Sequence, residues 1–589
     1  MSPDITATQI QFLPHPAALD LTQDPRSMTQ QSTSIRPIAS RFKKLAVSAV
    51  LCATALGVVP AVILGLSVQS AQAQTRPSAG SLIRETAQTA ASHPQKANQM
   101  ALSGRTDDPS AGRRVSPGDA TVAIKTLRIQ GTSVFSEAAL LTVLGHKPGA
   151  RYDMAGLLAL ADRITAHYRH EGYSFARAYL PKQEVTGGRL TITVLEGRYG
   201  TVRTSGEETL ARPAAAFLKT LKSYDVIAQS PLERATLLLG DLPGITAFPV
   251  LRPGSARGTG DLDVAVSRSK RWDGTFSLDN HGNRYAGSNR GRINLALNGF
   301  VAFGDRLSMA LLRSDKGMTL GEIGYGFALT SSGLRAETKL SHNFYALESS
   351  FEGFEGTAET ASVALHYPLK RSVQTNLTVS IEGKHDRLTD TLNGASVDNK
   401  TSKAGTARLQ FDHRDAWLGA GQTFGSIGLH LGDISSTAAN AVQGSFRKLD
   451  VSVARLQALP SGFEALASAN LQHSPNPLNS AQQISLGGVT KVRAYPAGEA
   501  SATSGAILQA ELRYTRGPYN PFVFYDAGKI KADGQEPARS LSGYGVGLRI
   551  TQGPFKGAIS VAWKGAGGAA QSDTRQSDPT IWANISYAF

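Results

Sequence analysis

The chain has 589 residues and a formal net charge of +15. That is too long for one ordinary domain, and with 18% charged and 7% aromatic residues the composition fits neither a disordered chain nor a helical membrane protein. Lys and Arg are scattered without a dense block, so the charge suits loops and a water-filled interior better than nucleic-acid binding.

An apolar run over residues 45–68 follows Arg41, Lys43 and Lys44 and leads into "SAQAQ". Ala71 and Ala73 occupy the small-residue positions of a cleavage site, so residues 1–73 read as a secretory signal peptide with an N-terminal extension, cut after Ala73. The alternative, a membrane anchor, is opposed by Pro60 and by that site. Residues 1–40 fit an extended signal or an upstream start, with Met28 as another initiator. The single cysteine, Cys52, lies in this run; it leaves the mature chain without a disulfide or thiolate metal site, and Leu51 before it argues against lipid attachment.

Residues 74–119 read as a linker carrying one helix, "SLIRETAQTAAS", with Ser81 as N-cap, Glu85 in its first turn and Pro94 beyond its end. Residues 120–199 predict a compact unit in the order β-α-α-β-β. It comprises "VAIKTLRIQG", helices starting at Ser136 and Asp153, and two strands joined at Thr186-Gly187-Gly188. Residues 200–270 predict a second unit of the same kind: "ARPAAAFLKTLKS" and "SPLERATLLLGDLPG" as helices, "GDLDVAVSR" as a strand.

From Arg271 the pattern becomes strict alternation. Ile293, Leu295 and Leu297 face one way in "RINLALNG"; Ile323, Tyr325, Phe327 and Leu329 do so in "GEIGYGFAL"; Ile581, Ala583, Ile585, Tyr587 and Phe589 do so in the last strand. A soluble sandwich of this length would be unusually large. The opposite face is small or polar, as a wet lumen requires, and the chain ends on an aromatic residue within a strand. Residues 271–589 therefore predict a transmembrane β-barrel of about 16 antiparallel strands.

Catalytic constellations are missing from the sequence. His167 and His170 lie three apart on a helix without a third metal ligand. "GYGVG" at 543–547 resembles half of a phosphate loop but lies in an alternating strand, where glycine lets neighbours pack closely. Nucleophile-elbow and Walker sequences are absent. The expectation is a non-enzyme without metal, cofactor or nucleic acid.

The residues from about 80 onward resemble two-partner secretion transporters (TpsB), the haemolysin/haemagglutinin secretion-activation family within the superfamily of POTRA-bearing outer-membrane barrels. In the first α/β unit, Tyr168, Gly172, Tyr173, Pro181, Gln183, Glu196 and Gly197 match the POTRA pattern in type and spacing. "LERATLLLGDLPG" and "GTGDLDVAV" resemble a second POTRA domain, "LDNHGNRYAG" the lead-in to the first barrel strand, and "HYPLKRS" a mid-barrel stretch turning at Pro368. "VRAYP", Val492 through Arg493, Ala494, Tyr495 and Pro496, is similar to the family's VRGY/F loop signature. Phe524, Asp526 and Gly528 match its F-x-D-x-G wall signature.

The resemblance implies that Arg493 pairs with Asp526 and locks a loop folded into the lumen. An arginine there is costly alone and stable when bidentately paired. Ala494 stands where many members have glycine, so its backbone must avoid positive φ. Residues 501–505 lack the acidic residue many relatives carry. The helix with Leu82 and Ile83 would plug the pore. The periplasmic POTRA domains would catch the N-terminal secretion domain of a large exoprotein by strand addition, with "RLTITVLEG" and "DLDVAVSR" as candidate edges. Outer-membrane lipids and the barrel assembly machinery are the other implied partners, and the implied state is a monomer in the outer membrane. Rival readings are a barrel-assembly insertase, a passive porin and, with least support, a secreted enzyme fused to a barrel. The cargo, whether haemolysin, adhesin, contact-dependent toxin or haem-binding protein, is open.

Overall fold

The computed structural model describes residues 77–90, 121–439, 441–532, 534 and 537–589, without the side chains of Ile83 and residues 87–90. The expected signal peptide and most of the linker lie outside them. Helix α1 (Ala79–Ala90) begins two residues before the expected Ser81 cap. Ser78 caps it instead: its Oγ accepts from the Ser81 amide at 3.4 Å while its amide donates to Ser81 Oγ at 2.9 Å. The swap is chemically cheap, since both positions are serine.

The first α/β unit runs β1 (Val122–Ile124), β2 (Thr126–Gln130), α2 (Glu137–Leu144), β3 (Ala150–Tyr152), α3 (Met154–His170), β4 (Arg177–Tyr179) and β5 (Arg189–Leu195). Ser136 and Asp153 cap the helices as expected, accepting from Ala139 N at 3.2 Å and Gly156 N at 2.8 Å. The β1–β3 pair is an addition that the sequence pattern did not signal. In the main sheet β5 lies between β2, parallel, and β4, antiparallel. Leu140, Leu160 and Ile164 from the helices meet Ile129, Ile192 and Val194 from the sheet to form its core.

The second unit repeats this topology: β6 (Arg198–Gly206), α4 (Glu208–Ala214), α5 (Gln229–Gly240), β7 (Ile245–Pro253) and β8 (Thr259–Arg268), with sheet order β6-β8-β7. Both strands expected to be edges are therefore central. Each closes its unit by slotting between the first strand and its own hairpin partner, which leaves β2, β4, β6 and β7 at the edges.

Sixteen strands then close a barrel. They are β9 (Trp272–Asp279), β10 (Arg290–Asn298), β11 (Arg306–Ser314), β12 (Thr319–Ala328), β13 (Arg335–Ala346), β14 (Phe354–Arg371), β15 (Thr375–Leu392) and β16 (Ala395–Asp415), continuing below. The rest are β17 (Gly421–Ser436), β18 (Gly444–Ala458), β19 (Phe463–His473), β22 (Gly505–Tyr514), β23 (Tyr519–Ile530), β24 (Arg539–Gln552), β25 (Phe555–Lys564) and β26 (Thr580–Ala588). Two short strands, β20 (Ile484–Ser485) and β21 (Ser501–Ala502), pair inside the loop between β19 and β22. Ile581 and Ile585 are exposed on the outer face, as alternation requires of a lipid-facing surface. Closure pairs every strand, so the spanning backbone has no open edge.

Two local expectations change. "LDNHGNRYAG" ends β9 and continues into the loop beyond it, rather than leading into the strand. "HYPLKRS" does not turn at Pro368: β14 runs through it with a register shift between Pro368 and Lys370, and the turn follows Arg371. A proline cannot donate to the ladder, and a bulge accommodates it. This near end of the barrel carries the second α/β unit: Arg371 Nε and Nη2 each donate to Asp241 at 2.7 Å, and Arg234 donates to Pro368 O at 2.9 Å.

Candidate functional site in the barrel lumen

The loop of residues 474–504 folds back into the lumen and carries Arg493 to the wall. Arg493 Nε donates to Asp526 Oδ2 at 2.8 Å, Nη2 to Oδ1 at 2.7 Å, and its own amide to Oδ2 at 3.1 Å. A second carboxylate, Glu511, accepts from Nη1 at 2.5 Å. Asp526 is fully buried and Arg493 is 5% exposed, so the charges compensate each other in a nearly dry place.

The wall explains why Arg493 fits. Register pairs Glu511 with Phe524, Phe524 with Gly545, Phe522 with Gly547, and Asp526 with Gly543. One face of β22–β24 thus offers acids and aromatic rings on two strands and glycines on the third. The Arg493 guanidinium carbon lies 3.6 Å from the Phe524 ring centre, and that of Arg549 lies 3.8 Å from Phe522. A Cβ on Gly545 would come within 2.4 Å of Phe524, on Gly547 within 2.2 Å of Phe522, and on Gly543 within 2.5 Å of Ala494 Cβ. "GYGVG" is therefore a recess in the wall, shaped for two rings and the loop tip. Ala494 is not among the residues with positive φ, as its side chain requires.

The rest of the signature anchors the same tip. Val492 packs against Gly528, where a Cβ would meet its methyl at 3.3 Å. Tyr495 OH donates to Ala566 O and Gly568 O at 3.1 and 3.0 Å. Pro496 O accepts from the Glu499 amide at 3.3 Å. The backbone is held from the opposite side: Trp582 Nε1 donates to Arg493 O at 2.7 Å and Thr580 Oγ1 to Ala494 O at 3.1 Å. Glu499, fully buried, accepts from the Gln571 and Ser572 amides at 2.8 and 2.7 Å.

Helix α1 also lies in the lumen, against β13–β15 on one side and the loop on the other. Leu82 is buried with Tyr285, Tyr345 and Leu388. The Ala79 amide donates to Asp390 Oδ1 at 3.1 Å, placing a carboxylate at the helix N-terminus. Arg84 donates to Ser480 O at 2.7 Å and Ser501 Oγ at 3.1 Å. Below the loop, a cavity of about 1610 Å³ reaches from Asp241 and Leu242 of the second unit to Lys491 of the loop.

The POTRA-pattern residues are brought together in the first unit, as a scaffold. Glu196 accepts from Val134 N at 2.8 Å, from Tyr168 OH at 3.0 Å, from Arg198 at 2.9 Å and from both donors of Ser133. Burial opposes its charge, but the Ser133, Val134 and Tyr168 bonds hold its carboxyl below the ordinary range. Tyr173 packs edge-on to Tyr168 and Phe135. Gly172 and Gly197 have φ of 86° and 72°. The Gln183 amide mimics a neighbouring strand, bonding Thr191 N at 2.8 Å and Thr191 O at 2.7 Å where β4 has ended, and its Nε2 reaches Pro181 O at 3.4 Å. His167 packs at a tilt against Phe135 and His170 bonds Glu171 at 2.9 Å, so these two do not converge on one point.

Sequence reasoning missed Glu511, Phe522, Arg549, Gln509 and Trp582. A period-two walk would have found two of them: stepping back from Asp526 through Phe524 gives Phe522, and stepping on from the three glycines gives Arg549.

Comparison with known proteins agrees with this architecture. Residues 258–550 match the family described as haemolysin secretion/activation protein ShlB/FhaC/HecB, and residues 122–197 match the ShlB-type POTRA domain. The chain is 27% identical over 458 residues to the heme/hemopexin transporter protein HuxB of Haemophilus influenzae, covering 72% of this chain and 80% of that one. It is 25% identical over 448 residues to the outer membrane transporter CdiB of Escherichia coli, covering 69% and 73%. The solved structure of CdiB from Escherichia coli superposes with a TM-score of 0.71 at 20% identity, over 88% of this chain and 100% of that one. CdiB from Acinetobacter baumannii gives 0.60 at 14% identity, over 95% and 100%. A closed sixteen-strand barrel, a ShlB-type POTRA domain and these matches together make the chain a member of the ShlB/FhaC/HecB family, the outer-membrane transporters of two-partner secretion, with its POTRA portion in the periplasm.

Proposed function

We propose that the chain exports one large exoprotein through its own lumen, with residues 200–270 as a second POTRA domain, α1 as the resting plug and Arg493–Asp526 as the lock on the lumen loop. The observation that carries this reading is a lumen open at the periplasmic end and filled at the other. The cavity of about 1610 Å³ begins at the second α/β unit and stops at the lumen loop, at Ile484, Thr490 and Lys491. A passive porin has no use for two periplasmic modules or for a helix seated across its channel.

The exoprotein would arrive unfolded and be caught by its N-terminal secretion domain. Backbone pairing needs a free strand edge, and β7 offers one: it pairs only with β8, and Phe248 on it is 54% exposed. Two-strand pairing supplies affinity without demanding much sequence identity, and exposed side chains such as Phe248 add selectivity. The chain carries no nucleotide-binding sequence, so folding of the exoprotein outside the cell supplies the drive. The barrel assembly machinery would insert the protein into the outer-membrane lipids as a monomer.

In cells lacking the chain, the partner exoprotein should stall in the periplasm while other outer-membrane proteins assemble normally. Export that persists refutes dedicated transport. A general failure of barrel assembly points to an insertase.

A further inference from the structure

The lumen loop is held at a second place, by groups outside the Arg493 cluster. Glu499 is fully buried, and its carboxylate accepts from the Gln571 amide at 2.8 Å, the Ser572 amide at 2.7 Å, the Ser572 hydroxyl and Arg539. Gln571 and Ser572 belong to the loop of residues 565–579 between β25 and β26, at the barrel end away from the POTRA domain. Arg539 also donates to Ala569 O at 2.9 Å and Gly567 O at 3.4 Å. The extracellular loop is thus drawn inward over the lumen loop by one carboxylate and one guanidinium, beside the Tyr495 hydroxyl at Ala566 O and Gly568 O.

Two features mark this as a specific device. Gly498 and Ala500 on either side of Glu499 have φ of 83° and 51°. Alanine rarely adopts such a conformation, and here it turns the intervening carboxylate toward the extracellular loop. The hold is also almost wholly polar and directed at backbone groups, with Ala570 as the buried apolar residue of that loop. Hydrogen bonds to backbone can break and re-form without repacking a core.

The same stretch faces the plug. Arg84 reaches Ser501, and a Cβ on Gly498 would come within 2.5 Å of Glu85. A cavity of about 160 Å³ lies between helix, lumen loop and extracellular loop, with Arg84, Ala497, Arg539 and Gln571 in its lining.

We infer that Glu499 is a positioning residue that latches extracellular loop 565–579 over the lumen loop, closing the exit by a contact distinct from the Arg493–Asp526 clamp and coupled to the seating of α1. The inference rests on the transporter reading. Departure of the helix removes the support on one face of residues 497–501, and the Glu499 contacts on the other face then open to let the exoprotein out.

The test uses the full-length transporter in a Cys52→Ser background. Ala497→Cys and Gln571→Cys, which line the small cavity, are bridged in intact cells by a short bis-methanethiosulfonate. Gln571 gives the latch only its amide, so both substitutions leave the latch in place. The unbridged pair should export the exoprotein normally, the bridged pair at least tenfold less, and a reductant should restore export. Undiminished export by the bridged protein overturns the latch, while failure of export in the unsubstituted strain would instead strike at the transporter reading. Conductance in planar bilayers gives a second measurement without the exoprotein. Glu499→Gln should raise the open fraction at least twofold, and Arg539→Ala should do the same while tryptic protection at Lys491 persists. Wild-type conductance in both variants also overturns the latch.

Discussion

Replacing Arg493 with alanine removes donors to Asp526 at 2.8 and 2.7 Å and to Glu511 at 2.5 Å. The two acids do not suffer equally. Glu511 keeps Arg513 at 2.8 Å and Arg549 at 3.1 Å. Asp526, fully buried, keeps only the residue 493 amide at 3.1 Å and Gln509 at 3.2 Å. Truncating one member of a buried ion pair costs about 3–5 kcal/mol, mainly because the other charge is stranded. Asp526 sits on a strand paired on both sides, so the loop yields before the wall does. At about 1.4 kcal/mol per decade, the time the loop spends detached rises by roughly two to three and a half decades. Lys491, 8% exposed beside the clamp, reports this as a tryptic site. Cleavage after Lys491 should accelerate about 100-fold or more in Arg493→Ala while the barrel stays assembled, and export should fall. Arg493→Lys keeps the charge but not the fork and should fall between. Adding Asp526→Ala to Arg493→Ala removes the stranded charge and should recover part of the protection. Cleavage within threefold of wild type in Arg493→Ala, or strict additivity in the double variant, would refute the argument.

Gly543→Ala would put a methyl 2.5 Å from Ala494 Cβ and push the loop tip off the wall. Overpacking of this kind costs about 1–3 kcal/mol, so cleavage after Lys491 should rise about tenfold, and Ala494→Gly should reverse it. Deleting residues 79–90 should raise single-channel conductance, since the helix fills the lumen beside β13–β15; unchanged conductance means that it obstructs nothing. In the POTRA domain, Glu196 has a folded-state pKa below its unfolded value, so its stabilisation is present above about pH 4.3 and is lost as pH falls through the folded value. Hydrogen exchange of β5 should therefore separate wild type from Glu196→Gln at pH 7 by a margin that shrinks as the pH falls below about 4.3. A difference that persists undiminished in acid would exclude ionisation as its source.

Alternation made the barrel legible because side chains of a wet, lipid-clad barrel have only two places to point. Capping residues located α2 and α3 for a comparable reason: Ser136 and Asp153 satisfy first-turn amides that have no acceptor within their own helix. Topology was less accessible. That β5 and β8 would be central depends on a long-range insertion, and nothing in "RLTITVLEG" distinguishes a strand with two neighbours from a strand with one. Arg493 and Asp526 could be paired through a resemblance, but their surroundings could not. Glu511 and Trp582 act across β22 and β26, and three strands of register separate those elements from any local signal. Glu499 shows the limit most plainly, because two of its four donors are backbone amides, which every residue but proline has.

The lumen loop joins unequal parts of the wall. The Arg493 side chain holds β22 and β23, while the carbonyls of Arg493 and Ala494 are held by Trp582 and Thr580 of β26. β26 closes the barrel against β9 through five residue pairs, from Asn584–Asp279 to Ala588–Thr275. The Asn280 side chain extends that seam by bonding Ile581 O and Ala583 N. A brace anchored at both ends ties β22 and β23 to β26 across the lumen. The loop therefore occupies the β22–β26 side, and α1 the β13–β15 side. Removing the helix frees a path along β13–β15 without breaking the Arg493 clamp, so the clamp can be required for export and still stay closed during it. Photocrosslinkers at Leu388, which touches the helix, should capture an exoprotein stalled in transit, whereas those at Phe522 behind the clamp should not. Equal capture at both positions would show that the loop leaves with the helix, and the division of the lumen would fall.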